Sequence, residues 1–166
     1  MAVSFLLDVT AIPGESVDPS AAYNQKIEID GWNFGSTQEG IIQAGSGRGS
    51  GKVSVQDFTF TKHADRSSPK LLEACATGNH VEQATLIARR TGDLGGGLRP
   101  YLNVVFTDLI ISSYQTSGSN GDSGLPAETI SFNFAKIQYQ YTPQDQGKSL
   151  GTMSASYDLK KSVSGT

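Results

Sequence analysis

The run Val53-Ser54-Val55-Gln56-Asp57-Phe58-Thr59-Phe60-Thr61-Lys62-His63-Ala64-Asp65-Arg66-Ser67-Ser68-Pro69-Lys70-Leu71-Leu72-Glu73-Ala74-Cys75-Ala76-Thr77-Gly78 changes its period halfway along. From Val53 to Lys62 apolar and polar residues alternate, the period of a half-buried strand. The phase slips on the way, from Val53 and Val55 to Phe58 and Phe60. From Ser67 the period becomes helical. A serine is expected to cap the N-terminus, and Pro69 falls in the first turn, where a missing N–H costs nothing. Leu71, Leu72 and Cys75 are read as one apolar stripe, and Gly78 suits a left-handed C-terminal cap. A strand leading into a helix of about three turns is the pattern from which the rest is read.

Outward from this run the chain reads as strand after strand. Val3 to Val9 alternates, with Val3, Phe5, Leu7 and Val9 on one face, and the Ile12-Pro13-Gly14-Glu15-Ser16 segment ends it. A strand over 25–34 places Ile27 and Ile29 in one phase and Trp32 and Phe34 in the other, so a bulge near Asp30-Gly31 is expected. Residues 84–90, 101–114, 129–141 and 152–160 supply further strands. The third of these slips phase between Phe132/Phe134 and Ile137/Tyr139/Tyr141, and the last alternates through Met153, Ala155, Tyr157 and Leu159. About seven strands and one helix predict a mainly β fold: a small antiparallel barrel over 1–166 as a single domain. Several strands are apolar on both faces, which requires a second sheet or a neighbouring subunit.

Composition bounds the function. Of 166 residues only 17% are charged and 37% hydrophobic, 19 are glycine, and the net charge is −3. No basic cluster tracks phosphates, so nucleic acid is not an expected partner. One cysteine excludes an intrachain disulfide. The N-terminal MAVSFLLDVT lacks a basic region and is not read as a cleaved signal, and no run is long enough to cross a bilayer.

The glycine-rich segment 35–52 is expected to be a long loop. It misses the phosphate-binding pattern: Ser46 stands where the first Gly belongs, and Val53 follows Gly51-Lys52. A nucleophile–base pair of Cys75 with His63 or His80 competes with a plain packing role for Cys75, which the apolar stripe favours. Two histidines and a cysteine without close spacing make no metal site, and no cofactor is implied. Trp32, Phe34, Tyr139 and Tyr141 form either a sugar-stacking platform or, as preferred, barrel core. Ordering glycines costs entropy, so the 40–52 loop points to a bound partner, with another copy of the chain as candidate.

The signature Gly51 to Lys62, continuing through Asp65, Ser68-Pro69, Leu71, Ala74-Cys75 and Gly78, resembles that of the hemolysin-coregulated proteins, the tube subunits of type VI secretion. Gly14-Glu15-Ser16, Trp32 and Asp57 extend the resemblance, as do Phe132 to Ile137 and Tyr141 to Gln144, in order over most of the chain. Residues 21–25 and 92–100 depart from the family pattern.

The resemblance implies a β-barrel with one helix, hexameric rings stacked into a tube within a contractile sheath, tip proteins, and small effectors sheltered in the lumen. It implies no enzyme and no membrane insertion. It further implies a cytoplasmic subunit exported through the apparatus, with no toxin domain fused behind Thr166. Ile41, Ile42, Gln43, Arg48 and Lys52 are expected to reach a neighbouring subunit or the next ring. A phage-type tail tube protein, a secreted sugar-binding β-module and a small hydrolase are the competing readings.

Overall fold

The computed structural model describes residues 2–38, 53–91, 97–120, 124–145, 148–161 and 163–165. In chain order these form β1 (Val3–Val9), β2 (Ile27–Ile29), β3 (Gly31–Asn33), β4 (Ser36–Gln38), β5 (Val53–Val55), β6 (Phe58–His63), α1 (Ser68–Thr77), β7 (Val81–Thr91), β8 (Leu98–Ser117), β9 (Ala127–Tyr141), β10 (Gln144–Asp145), β11 (Lys148–Ser149), β12 (Met153–Asp158) and β13 (Val163–Gly165).

Every phase slip in the sequence marks a change of strand partner. β1, β7, β8 and β9 form an antiparallel ladder in that order. At the chain's second strand, β2 pairs with β1 and β3 with β6, with Asp30 as the joint. The slip at 53–60 separates β5, which pairs with β4, from β6, which pairs with β3 and β9. β9 pairs with β6 over Ala127–Phe132 and with β12 over Lys136–Tyr141. Together β1, β7, β8, β9, β6 and β3/β2 curl into a nearly closed barrel.

Aromatic rings fill this barrel. Phe58 is fully buried, with its ring centroid 4.8 Å from Phe106 and 5.0 Å from Phe132, and Trp32 and Phe34 each lie 6.1 Å away. Helix α1 closes one end with Ser68, Leu71 and Ala74.

Four expectations need correction. Leu72 is not in the apolar stripe; it is exposed, because 100° per residue carries it off the face that Leu71 and Ala74 share. Ser67 holds the cap position but makes no side-chain capping bond, since its hydroxyl donates to Asp65. Ser36–Gln38 belongs to a strand rather than to the loop. Tyr139 and Tyr141 are not barrel core: they are 40% and 39% exposed, because β9 has by then left β6 and outrun the barrel.

Segment 10–26 is a strap over the outer face of β1 and β7. Leu6 is 1% exposed although it lies outside the main apolar cluster. Gly14 seats the strap's return: a Cβ there would collide with the backbone of Lys26 and Ile27.

Candidate functional site

Two features stand out, a buried polar knot and an uncovered apolar face. The knot lies under α1. Phe58, Phe60 and Lys62 alternate inward on β6, so Lys62 enters the core with its side chain fully buried, directly across from Glu128 on β9. The Lys62 Nζ donates to Asp65 Oδ1 at 2.8 Å, to the His63 carbonyl at 2.9 Å and to Ser68 Oγ at 3.1 Å, and forms an ion pair with Glu128 Oε2 at 2.8 Å. Ser68 Oγ in turn donates to Glu128 Oε2 and accepts from the Asp65 N–H, while Tyr114 donates to Glu128 Oε1 at 2.6 Å. Each buried charge meets its opposite and further hydrogen bonds, the condition for holding ions in a core. The knot ties β6, β8, β9 and the helix start together.

Burial, and then the Glu128 hydrogen bond, push the Tyr114 hydroxyl from 10.0 up to about 12. A raised folded-state value favours the protonated fold below pH ~10, and that contribution disappears as pH climbs toward ~12. Stability should therefore fall between these limits, and Tyr114→Phe should flatten the fall in an alkaline titration followed by circular dichroism.

A second pin holds the strap. Arg89 is 5% exposed, reaches Asp18 at 2.7 Å and Ser4 Oγ at 3.3 Å, and lies 4.3 Å from the Tyr23 ring centroid. The Arg89 hydrogen bond holds the Asp18 carboxyl below the usual carboxylate range. Residues 21–25, a departure from the family pattern, thus supply an internal contact through Tyr23. Ser16 donates its hydroxyl to the Tyr23 carbonyl.

The structure places the signature residues as follows. Glu15 accepts from the Arg66 N–H, Asp57 accepts from Ser112, and Trp32 stacks on Phe34 and Phe58. Pro69 opens α1, Leu71 is buried, Cys75 is half-buried against the core, and Gly78 takes the left-handed cap at φ 65°. Each of these contacts is made within the chain. Ile41, Ile42, Gln43, Arg48 and Lys52 lie outside the described residues; β4 and β5 are the paired strands on either side of them.

Among the described residues the titratable side chains His63, His80 and Asp65 are held in structural pairs. His63 is engaged with Asp30 at 3.0 Å and His80 with Asp108, and among the described residues no hydrogen bond joins either to Cys75. Among the described residues no group of three or more His, Cys, Asp or Glu is placed to hold a metal. The shallow cleft beside His63 is lined by Glu15, Glu28, Asp30 and Asp65, three of which are already paired as described. Trp32 and Phe34 are packed inside and separated from the exposed tyrosines, so no stacking platform forms.

The uncovered face continues the core side of the sheet. Phe106, Val104 and Leu102 are buried and stand opposite Ile137, Tyr139 and Tyr141, which in turn stand opposite Tyr157, Ala155 and Met153. Exposure rises along this row to 71% at Met153.

Among the described residues the chain is a pinned β-barrel with an apolar sheet face left open. The chain belongs to the family of type VI secretion system effectors, Hcp, whose model matches residues 6–141. It is 36% identical to protein hcp1 of Pseudomonas aeruginosa over 165 residues, 98% of this chain and 99% of that one. Among solved structures it is similar to a type six secretion system protein, with TM-score 0.86, 29% identity and coverage of 99% and 100%. It is also similar to Hcp1 from Salmonella typhimurium, with TM-score 0.80, 34% identity and 99% of both chains covered. It is a subunit of the type VI secretion tube and not an enzyme.

Proposed function

We propose that the chain forms hexameric rings that stack into the tube, and that sheath contraction expels this tube past the tip proteins with small effectors in its lumen. In this reading the subunit starts in the bacterial cytoplasm and leaves through the apparatus. The observation carrying it is the apolar sheet face that the isolated barrel leaves uncovered, together with the family assignment. A ring closes when unlike patches of identical chains meet head to tail.

The loop at 40–52 is assigned to contacts between subunits or rings, with Ile41, Ile42 and Gln43 supplying apolar and backbone contacts and Arg48 and Lys52 meeting acids on the facing ring. Its glycines permit close backbone approach. Deleting Gly45 to Gly51 should leave a folded barrel that assembles poorly. Electron microscopy showing rings and tubes like those of the parent would overturn the loop assignment.

A further inference from the structure

The strap over 10–26 has a tip, 17–24, that the Asp18–Arg89 pair ties to the barrel. We infer that this tip is a latched flap: it opens while the barrel stays folded, and opening turns Arg89 out to solvent. The root of the strap is closed on itself. The Gly14 N–H donates to the Gln25 carbonyl at 2.9 Å, the Ser16 N–H to the Lys26 carbonyl at 3.1 Å, and the Gln25 N–H back to the Ser16 carbonyl at 2.8 Å. Beyond this root the tip also bonds to itself. The Tyr23 and Asn24 N–H groups donate to the Ser20 carbonyl, each at 3.0 Å, and the Asn24 side chain donates to the Asp18 carbonyl.

The tip buries little. Val17 is 87% exposed, and Pro19, Ser20, Ala21, Ala22 and Asn24 are exposed as well. Its two half-buried side chains, Asp18 and Tyr23, both meet Arg89 of β7. Segments with few apolar contacts open locally, at a cost well below that of global unfolding.

The closed position also carries its own penalties. Arg89 is 5% exposed, and its Nε has no hydrogen-bond partner. A buried guanidinium with an unused donor gains less from its counter-charge than a fully bonded one. Gln25, at the return of the tip, holds φ 57°, a left-handed backbone that a side chain disfavours. Opening relieves both: water reaches the Arg89 donors, and Gln25 is free to leave the left-handed region. Tyr23 and Gln25 lie in 21–25, where the chain departs from the family pattern. The hinge and half of the latch therefore belong to this chain's own sequence.

The test follows the labelling of Arg89 by phenylglyoxal in the full chain, mapped by mass spectrometry. Half-buried Arg90 is the internal reference, and circular dichroism gives the melting temperature. With the flap closed, the reagent reaches Arg89 only through opening. Asp18→Asn removes the charge of the latch at nearly constant shape. It should raise the Arg89 rate at least about tenfold and leave Arg90 and the melting temperature unchanged. Gln25→Gly relieves the left-handed position and should slow Arg89 labelling. An Arg89 rate unmoved by Asp18→Asn would overturn the inference. So would a rate that rises only together with a fall in melting temperature, because the tip would then unfold with the barrel.

Discussion

Glu128→Ala and Lys62→Met should each destabilise the unassembled chain by about 3–5 kcal/mol, the usual cost of leaving one member of a buried ion pair alone. Lys62 and Glu128 are 0% and 2% exposed at the side chain, so water cannot replace the missing partner. Loss of Glu128 removes the counter-charge of Lys62 and the acceptors of Ser68 and Tyr114 together. Loss of Lys62 strands Glu128 and takes a donor from Asp65. The double variant Lys62→Met/Glu128→Leu should lose clearly less than the sum of the singles, because no charge is left unpaired in the core. Urea unfolding of all four proteins decides this. Singles within about 0.5 kcal/mol of the parent would show that the knot does not hold helix to barrel.

Phe58→Ala should cost a similar about 3–5 kcal/mol, for a different reason. The ring meets Phe106, Phe132, Phe60, Phe34 and Trp32, all within 6.2 Å between centroids. Its deletion leaves a cavity lined by rings that two antiparallel ladders hold in place, so the site collapses poorly. For a domain of this size the melting temperature should drop on the order of 10 °C. The comparison must be made on the unassembled chain, because assembly adds stability by mass action. Phe34→Leu nearby should cost much less, since Phe34 is half-buried and its volume is largely kept. Equal losses at both positions would show that the cluster is not centred on Phe58.

Much of the architecture was legible in periodicity. β1, α1 with its Pro69 start and Gly78 stop, and the long strands β7 to β9 follow from local pattern, because side-chain alternation and cap chemistry are set within a few residues. The phase slips were legible too, but what they meant was not. A slip says that side chains change sides; only the assembled sheet says that the strand has changed partner, as at Asp30 and again between Phe132 and Lys136.

The polar knot had a signal that motif reading passed over. Lys62 follows Phe58 and Phe60 in the inward phase, and Glu128 precedes Ile130 and Phe132 in theirs. Opposite charges at inward positions of two strands require each other once those strands pair. That Ser67 would turn to Asp65 instead of capping its own helix had no comparable signal, since the competing acceptor is placed by the Lys62 contact.

By itself the sequence determined the element types, the β-rich single-helix character and the family, because these rest on local pattern and on ordered motifs. Tertiary structure alone decided that the signature residues make contacts within the chain, that Tyr23 stacks on a buried Arg89, and that Tyr139 and Tyr141 are left uncovered. Alternation states which residues share a face. Whether that face is covered depends on where each strand parts from its neighbour, a relation between segments far apart in the chain.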